Sequence, residues 1–443
     1  MSNKLDICKK AVALALKLGA SDASSSLGVT NAMGVSVFEG KSDGVEGNID
    51  CGISFTAHVG QKVASGSTEN LTDDSVESLV RTIVEAAKQA PEDPFACVAD
   101  KSLIQPVSAD MIKYLDLVDS TEHTADEMLQ MACEMEAAAR SIAGVASIRS
   151  ADVSSSQYEH YLVISNGFEG HYKTSSRSAV IQAMAELNGE KVINYDYDSA
   201  RHWSDIRPMA SIGIKSGEKA AAMLNQVSMG HKGVLPVVLD PKISVKLLLG
   251  TLQSCLHGGN IVAKGSFINK DDLGTKLFGD NINLLDNRTK VRGLGSSPYA
   301  GSGIIGPESV NLVKNGNVEN FLLGLRNAKQ LGLSPKLGRP SLYKPYFEGG
   351  TLSPDDLIDN IKLGLYVTNV MGHGFKAITG DISYTVAGFV IRDGVITGEY
   401  VKEASLAGNL KDMLNETTFA NDLKFNDSAN AATARIEGVS IVG

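Results

Sequence analysis

The sequence predicts an α+β protein dominated by antiparallel sheet, and three observations indicate this fold class. Apolar and polar residues alternate with a period of two over many short runs, as they do in half-buried strands. Asn166-Gly167 and Asn315-Gly316 are dipeptides that typically form tight hairpin turns. Helical spacing is confined to a few segments that precede or follow groups of strands. Such grouping favours helices that cover antiparallel sheets.

The first half contains an internal duplication, in which each copy has the order helix, three or four antiparallel strands, helix. A predicted helix over 5–18 leads into Ser21-Asp-Ala-Ser-Ser-Ser26, and one over 125–142 leads into Ala151-Asp-Val-Ser-Ser-Ser156. The two serine-rich segments are 130 residues apart (151 − 21). We therefore expect the two copies to form similar structures.

Each copy closes with a second predicted helix, near 73–89 in the first and near 208–229 in the second. A chain of 443 residues is too long for a single core. We predict two similar units of helix and β-meander, over 1–95 and 96–230. A β-rich C-terminal domain over 231–443 is predicted to follow them.

The second half begins with a predicted strand at 234–239. Asp240-Pro241 then provides good cap chemistry for a helix, and an apolar helical stretch runs over 246–257. A glycine-rich stretch over 262–310 shows little periodicity, and such a stretch inside a compact domain is usually functional or mobile. A hairpin over 388–398 is among the elements that complete this mostly antiparallel domain.

Composition and charge exclude several classes of protein. The net charge of −10 argues against a nucleic-acid binder, which would present a basic face. The densest basic run, Arg288 to Arg292, is interpreted as a solvated loop. Five scattered cysteines without a CxxC pair, the lack of a signal peptide and the lack of a membrane-length apolar run predict a soluble, cytoplasmic protein.

Motifs for hydrolytic or nucleotide chemistry are incomplete. Gly301 to Gly306 matches GxGxxG but lacks the preceding strand and following helix of a dinucleotide site. No histidine in the chain is followed by glutamate, so the sequence has no HExxH or HExxxH zinc motif. Cys255 and His257 form the one close pair of possible ligands, and Cys255 lies on an apolar helical stripe that favours a buried structural thiol. His373 lies between glycines, for which structural packing is favoured over catalysis.

Five segments, taken in order and spacing, resemble the TldD/TldE (PmbA) family, sometimes described as modulators of DNA gyrase. The resemblance spans essentially the whole chain. The five segments are Lys264-Gly-Ser-Phe267, Arg292-Gly-Leu-Gly-Ser296, Arg326-Asn-Ala-Lys-Gln-Leu-Gly332, Asn369-Val-Met-Gly-His-Gly374 and Leu406-Ala-Gly-Asn-Leu-Lys-Asp-Met-Leu414.

The resemblance implies a cytoplasmic metallopeptidase of two homologous subunits, of which the TldD type carries HExxxH on a helix and a cysteine ligand near its C-terminus. Counting back from Lys264, the first motif histidine falls on Gly250, the glutamate on Thr251 and the second histidine on Cys255. No cysteine follows Cys255. These degenerate metal-site positions make the chain similar to the TldE/PmbA branch, which lacks the zinc ligands and the general base.

The resulting prediction is a non-catalytic subunit of a heteromeric zinc metallopeptidase that processes unfolded or flexible peptides. The chain is expected to bind no metal or other cofactor, to carry no catalytic residue and to pair with a TldD-type partner that holds zinc. Alone it is expected to form a homodimer, and it is expected to bind neither nucleic acid nor membrane. An extended peptide would add to a sheet edge, and the loops of 262–306 would line its path. Possible groove or loop positions are His257, Lys264, Gly265, Ser266 and His373.

Two alternatives stay open, because the family is one of peptidases and the chain could itself be an enzyme. The first is an autonomous peptidase or hydrolase with a non-zinc site formed by Cys255 and His257. The second is a regulatory binding protein of a DNA-processing enzyme, for which the acidic charge makes direct DNA contact unfavourable.

Overall fold

The computed structural model describes residues 4–334 and 341–443, and it confirms the α+β class with antiparallel sheets. The first half is built on one six-stranded antiparallel sheet with the order β3-β2-β1-β4-β5-β6. Its strands are β1 (Asp22–Phe38), β2 (Lys41–Val59), β3 (Lys62–Thr68), β4 (Val145–Ile164), β5 (Glu169–Leu187) and β6 (Glu190–Ala200). The helices around it are α1 (Lys4–Lys17), α2 (Asp73–Gln89), α3 (Ala109–Leu115), α4 (Ala125–Arg140) and α5 (Met209–Ala222).

The two copies of the duplication join edge to edge through β1 and β4, which pair without a break from Ser24 opposite Ile164 to Val37 opposite Ala151. Each copy has the predicted order of helix, three strands, helix. The last helix of the second copy was predicted too long, since α5 ends at Ala222 instead of continuing to 229.

Both helix pairs cover the same face of this sheet. Ala23 and Leu27 of β1 pack in the core under α1 and α2, while Val35 and Val37 pack in the core under α4 and α5. These four positions are odd-numbered and therefore share one face of the strand. The opposite face is left for the second half of the chain.

The second half contains a closed ring of five strands with two short strands attached. Four of the five contacts in the ring are antiparallel, and the contact between β7 and β12 is parallel. A separate four-stranded sheet has the order β10-β9-β8-β11. The strands are β7 (Lys232–Leu239), β8 (Leu284–Asn287), β9 (Ser309–Lys314), β10 (Asn317–Val318), β11 (Pro345–Phe347), β12 (Leu363–Met371), β13 (Phe375–Lys376), β14 (Asp381–Arg392), β15 (Val395–Asn409), β16 (Thr417–Phe419) and β17 (Ala434–Val442).

The helices of the second half are short and pack around the ring. They are α6 (Pro241–Ser244), α7 (Gly250–Leu256), α8 (Gly258–Val262), α9 (Leu325–Leu331), α10 (Pro354–Ile358) and α11 (Leu410–Asn415). The apolar stretch over 246–257 was expected to be one helix. Residues 241–256 are indeed helical without interruption, but the helix contains a π-helical turn over Val245–Leu249 between α6 and α7, and α7 ends before His257.

The basic run was not correctly predicted as a solvated loop. Arg288 is buried and donates from Nε to Gly306 O at 3.0 Å. Lys290 lies over the Phe425 ring at 3.9 Å from its centroid. In the part of the chain that the structure describes, no helix has the length and apolarity required to span a membrane.

Candidate functional site

The segment on which the metal positions were expected begins with a well-formed cap and contains an irregular turn. The Asp240 carboxylate accepts the Lys242 N–H at 3.0 Å, and Pro241 occupies the first turn. The π-helical turn follows, and the Gly250 N–H bonds to Val245 O. Such turns are frequent at functional sites because they re-aim the residues around them.

The three degenerate positions offer no set of convergent donors. Gly250 is exposed and has no side chain. The Thr251 hydroxyl is buried and lies 2.6 Å from Leu247 O and 3.0 Å from Leu248 O, to which it donates within its own helix. Cys255 is fully buried. The exposed Gly250 and the buried Cys255 therefore lie on different sides of the helix.

Cys255 and His257 do not form a nucleophile and base pair. The Cys255 Sγ lies 4.0 Å from Ala377 O, and burial raises the pKa of this thiol to about 12. A nucleophilic cysteine requires the opposite shift in pKa. The His257 Nδ1 accepts the Gly259 N–H at 3.2 Å and so caps α8. Both side chains thus have structural roles.

Of the remaining predicted positions, some form hydrogen bonds next to α7 and the others lie at the surface. The Ser266 hydroxyl donates to Cys255 O at 2.9 Å, and Gly265 N–H donates to Asn260 O at 2.8 Å. Lys264 is exposed with a φ of 54°. His373 is exposed in the turn between β12 and β13. The structure brings Ser266 to Cys255 but leaves His373 at the surface.

A cavity of about 900 Å³ lies elsewhere, between the uncovered face of the six-stranded sheet and residues 294–302 of the second half. We call it the central cleft. Its floor includes even-numbered positions of β1, β4 and β5, such as Ser26, His160 and Tyr172. Its volume is at the upper end of the range for ligand sites. None of the eight positions predicted from the sequence lines it.

The side chains of the cleft are polar and aromatic. His160 stacks on Tyr172 with ring centroids 4.6 Å apart, and Tyr172 meets Tyr299 edge-on at 5.2 Å. Burial lowers the pKa of His160, and the nearby charge of Arg201 lowers it further. The lining residues within the described part of the chain include no aspartate or glutamate. His160 is therefore a neutral imidazole beside a cation near pH 7.

Among the described residues that line the cleft, Arg201 is the one arginine or lysine, and it is only 8% exposed. Its Nη1 donates to Ser175 O at 2.8 Å, its Nε to Gly293 O at 3.3 Å, and its Nη2 to Leu294 O. All three acceptors are backbone carbonyls. Burial lowers the pKa of Arg201, although the guanidinium remains charged at neutral pH.

One sequence signal for the sheet side of this site is the alternation Tyr158-x-His160-x-Leu162 in β4. Period-two spacing places these three side chains on one face of the strand. This alternation does not identify what covers the face, although the loops of 262–306 that were expected to line a peptide path include residues 294–302. Arg201 follows β6 directly and carries no motif.

Among residues 4–334 and 341–443, no group of three or more His, Cys, Asp or Glu side chains is arranged to hold a metal ion. The candidate site on this chain is therefore the central cleft.

Comparison with known proteins gives two matches to family models. Residues 119–224 match the PmbA/TldA metallopeptidase central domain, and residues 232–443 match the PmbA/TldA metallopeptidase C-terminal domain. The chain is 28% identical to Metalloprotease PmbA of Escherichia coli O157:H7, covering 99% of this chain and 96% of that protein. It is 26% identical to a PmbA homologue of Haemophilus influenzae, covering 98% and 94% of the two chains.

Solved structures share the fold over the full length. A Bacteroides thetaiotaomicron protein named for modulation of DNA gyrase superposes with a TM-score of 0.91 at 24% identity, covering 100% of this chain and 99% of that one. TldE from Thermococcus kodakarensis superposes with a TM-score of 0.82 at 15% identity, covering 99% and 100%. At these identities the likeness concerns the fold.

Proposed function

This chain belongs to the TldD/PmbA family of metallopeptidase-like proteins, and from that premise we propose that it is the non-catalytic, TldE/PmbA-type subunit of a heteromeric zinc peptidase. A TldD-type partner would supply the metal, the general base and the attacking water. This chain would help to bind the unfolded or flexible peptide in its central cleft.

The observation that carries the proposal is the chemistry of Gly250, Thr251 and Cys255. Zinc in hydrolases is held by imidazole, thiolate or carboxylate, and a carboxylate commonly acts as the base. Gly250 has no donor atom, and the Thr251 hydroxyl is bonded to the helix backbone. The buried Cys255 thiol resists the ionisation that metal binding requires. These residues do not fit a zinc ion.

The central cleft supports a role in peptide binding. It combines a sheet face, stacked aromatic rings and hydroxyl groups, which can accept extended chains of varied sequence. The sequence led us to expect addition to a sheet edge, whereas the cleft is bounded by a sheet face. We therefore revise this part of the hypothesis to binding across the face.

Part of one edge of the six-stranded sheet has no neighbouring strand among the described residues, and this edge could pair with a partner. Residues 41–52 of β2 pair with β1, and β3 pairs with β2 only from Ile53 onward. This free segment exposes Ile49, which is 76% accessible. An unpaired edge with an exposed apolar side chain favours pairing with another chain. The same surface could form the homodimer that we expect for the chain alone.

The autonomous hydrolase is less well supported, because Cys255 is buried with a raised pKa and His257 caps a helix. Replacing Cys255 by alanine distinguishes the two functions. If the Cys255 thiol were the nucleophile, the variant would be inactive. Under our proposal, the complex of the variant with its partner keeps its peptidase activity.

The decisive experiment uses the full chain alone and mixed with a TldD-type subunit. We expect less than stoichiometric zinc and no hydrolysis of a flexible peptide for the chain alone, and hydrolysis after mixing. Stoichiometric zinc together with peptidase activity in the isolated chain would contradict the proposal. The proposal would also be contradicted if no TldD-type subunit bound this chain, or if binding did not stimulate the peptidase activity of that subunit.

Two matched variants test the surface used for assembly. Ile49→Lys places a charge on the free segment of β2, and Val395→Lys places one at the hairpin between β14 and β15, where Val395 is 61% accessible. We expect the first variant to weaken the complex at least tenfold in sedimentation or calorimetry and the second to leave it unchanged. Equal effects would exclude this edge as the interface.

A further inference from the structure

We propose that Arg201 recognises a carboxylate, so that the central cleft prefers peptides with a free C-terminus or an acidic side chain. This inference rests on the proposed peptide-binding function and specifies the chemistry of the ligand. A guanidinium and a carboxylate match in shape and charge, and they commonly form two parallel hydrogen bonds.

The first observation is that no acidic side chain of residues 4–334 or 341–443 pairs with the positive charge of Arg201. Buried arginines are normally paired, because taking a charge out of water is costly. The fully buried Arg177 differs in this respect, because its guanidinium lies 3.7 Å from the Asp119 carboxylate. Arg201 bonds only to carbonyl oxygens among the described residues.

The second observation is that Arg201 has donors to spare. A guanidinium carries five N–H groups, and Arg201 uses three of them. The three bonds to Ser175, Gly293 and Leu294 hold its plane fixed between β5 and the loop that covers the cleft. A side chain held in this way loses little further freedom when it binds a ligand.

The third observation concerns the surroundings. The protein has a net charge of −10, yet none of the described residues that line the central cleft carries a carboxylate. An acidic group would compete with the ligand for Arg201 and would repel an incoming carboxylate. His160 lies near Arg201, and burial and the charge of Arg201 both lower the pKa of its imidazole. The neutral imidazole adds a hydrogen-bonding group whose pKa should change when an anion binds to Arg201.

Arg201 could instead serve only to fasten the loop at 293–294. In that case, the charge of the ligand would not affect binding. Calorimetry with the full chain and three N-acetylated peptides distinguishes the two roles. The peptides have the same sequence apart from one position and carry no charge other than the one stated. The first has a C-terminal amide, the second a free C-terminus, and the third an amide and one central aspartate.

We expect the free acid, the aspartate peptide or both to bind at least tenfold more tightly than the amide, and the ranking identifies the source of the carboxylate. Equal affinity of all three peptides would overturn the carboxylate site while leaving the peptide cleft intact. Failure of every peptide to bind, with or without the partner subunit, would overturn both.

Variants and a titration keep the inference testable. Arg201→Gln should abolish the preference for the charged peptide, Arg201→Lys should retain part of it, and Arg149→Gln, at an exposed position of β4, should not change it.

A bound carboxylate offsets the charge that faces His160, so saturation with the charged peptide should raise the pKa of His160. This pKa is followed by NMR and assigned with His160→Gln. An unchanged pKa would refute contact with Arg201, even if Arg201→Gln does not fold.

Discussion

The close approach at Gly295 allows a sharp test of how the central cleft is built. A Cβ atom added at this position would lie 1.6 Å from the Tyr343 carbonyl oxygen. Carbon and oxygen atoms in contact need roughly 3.3 Å, so the backbones would have to separate by about 1.7 Å. Gly301, in the same covering loop, has no heavy atom within 4 Å of the same hypothetical Cβ. The two glycines therefore form a matched pair.

We predict that Gly295→Ala destabilises the second half by about 3 kcal/mol, the upper end of the range for overpacking, because both contacting groups are backbone. Gly301→Ala should change the free energy of unfolding by less than about 0.5 kcal/mol. Urea unfolding followed by circular dichroism measures both values. The displaced loop carries the carbonyl groups that hold Arg201, so Gly295→Ala should also weaken peptide binding. Equal stability and equal peptide affinity of the two variants would refute this description of the cleft.

Two further predictions concern ionisable groups outside the cleft. Hydrogen bonds from Lys173 and Lys4, each at 2.6 Å, lower the pKa of Glu159 from 4.5 to about 2. Because the pKa is lower in the folded state, the ionised carboxylate stabilises the fold above pH 4.5, and this contribution is lost as the pH falls toward 2. In urea unfolding, Glu159→Gln should therefore lower the free energy of unfolding by about 2 kcal/mol at pH 7 and by almost nothing near pH 2. A difference in free energy that does not depend on pH would contradict this prediction. Cys255 should react with iodoacetamide at pH 8 only after unfolding, because burial raises the pKa of its thiol to about 12. The half-buried Cys51 should be labelled in the native protein. Mass spectrometry that finds Cys255 labelled before Cys51 would contradict this prediction.

Local sequence signals predicted most elements of the first half. The helix over Asp73–Gln89 has the predicted bounds, because its acidic first turn and apolar stripe agree. Asn166-Gly167 lies at the predicted turn between β4 and β5. These features depend on neighbours in the chain, which a single sequence displays.

Features that depend on distant contacts could not be predicted. The closed ring of the second half requires β12 to pair with both β7 and β14, and no local pattern specifies that arrangement. Arg288 is buried by carbonyl groups of residues 297, 298 and 306, although a basic run usually indicates solvent. Arg201 likewise acquires its surroundings only when residues 293–294 fold over it.

The three degenerate positions differ in how readily a metal ligand could be restored. Gly250 is exposed and its hypothetical Cβ would meet nothing closer than Val245 O at 3.6 Å, so a histidine fits there. A glutamate at Thr251 would bury a carboxylate among leucines, and a histidine at Cys255 would overfill a fully buried site beside Ala377. Two of the three positions are thus part of the hydrophobic core. A single substitution at the surface cannot rebuild the metal site, because the packing of this helix is itself adapted to the absence of ligands.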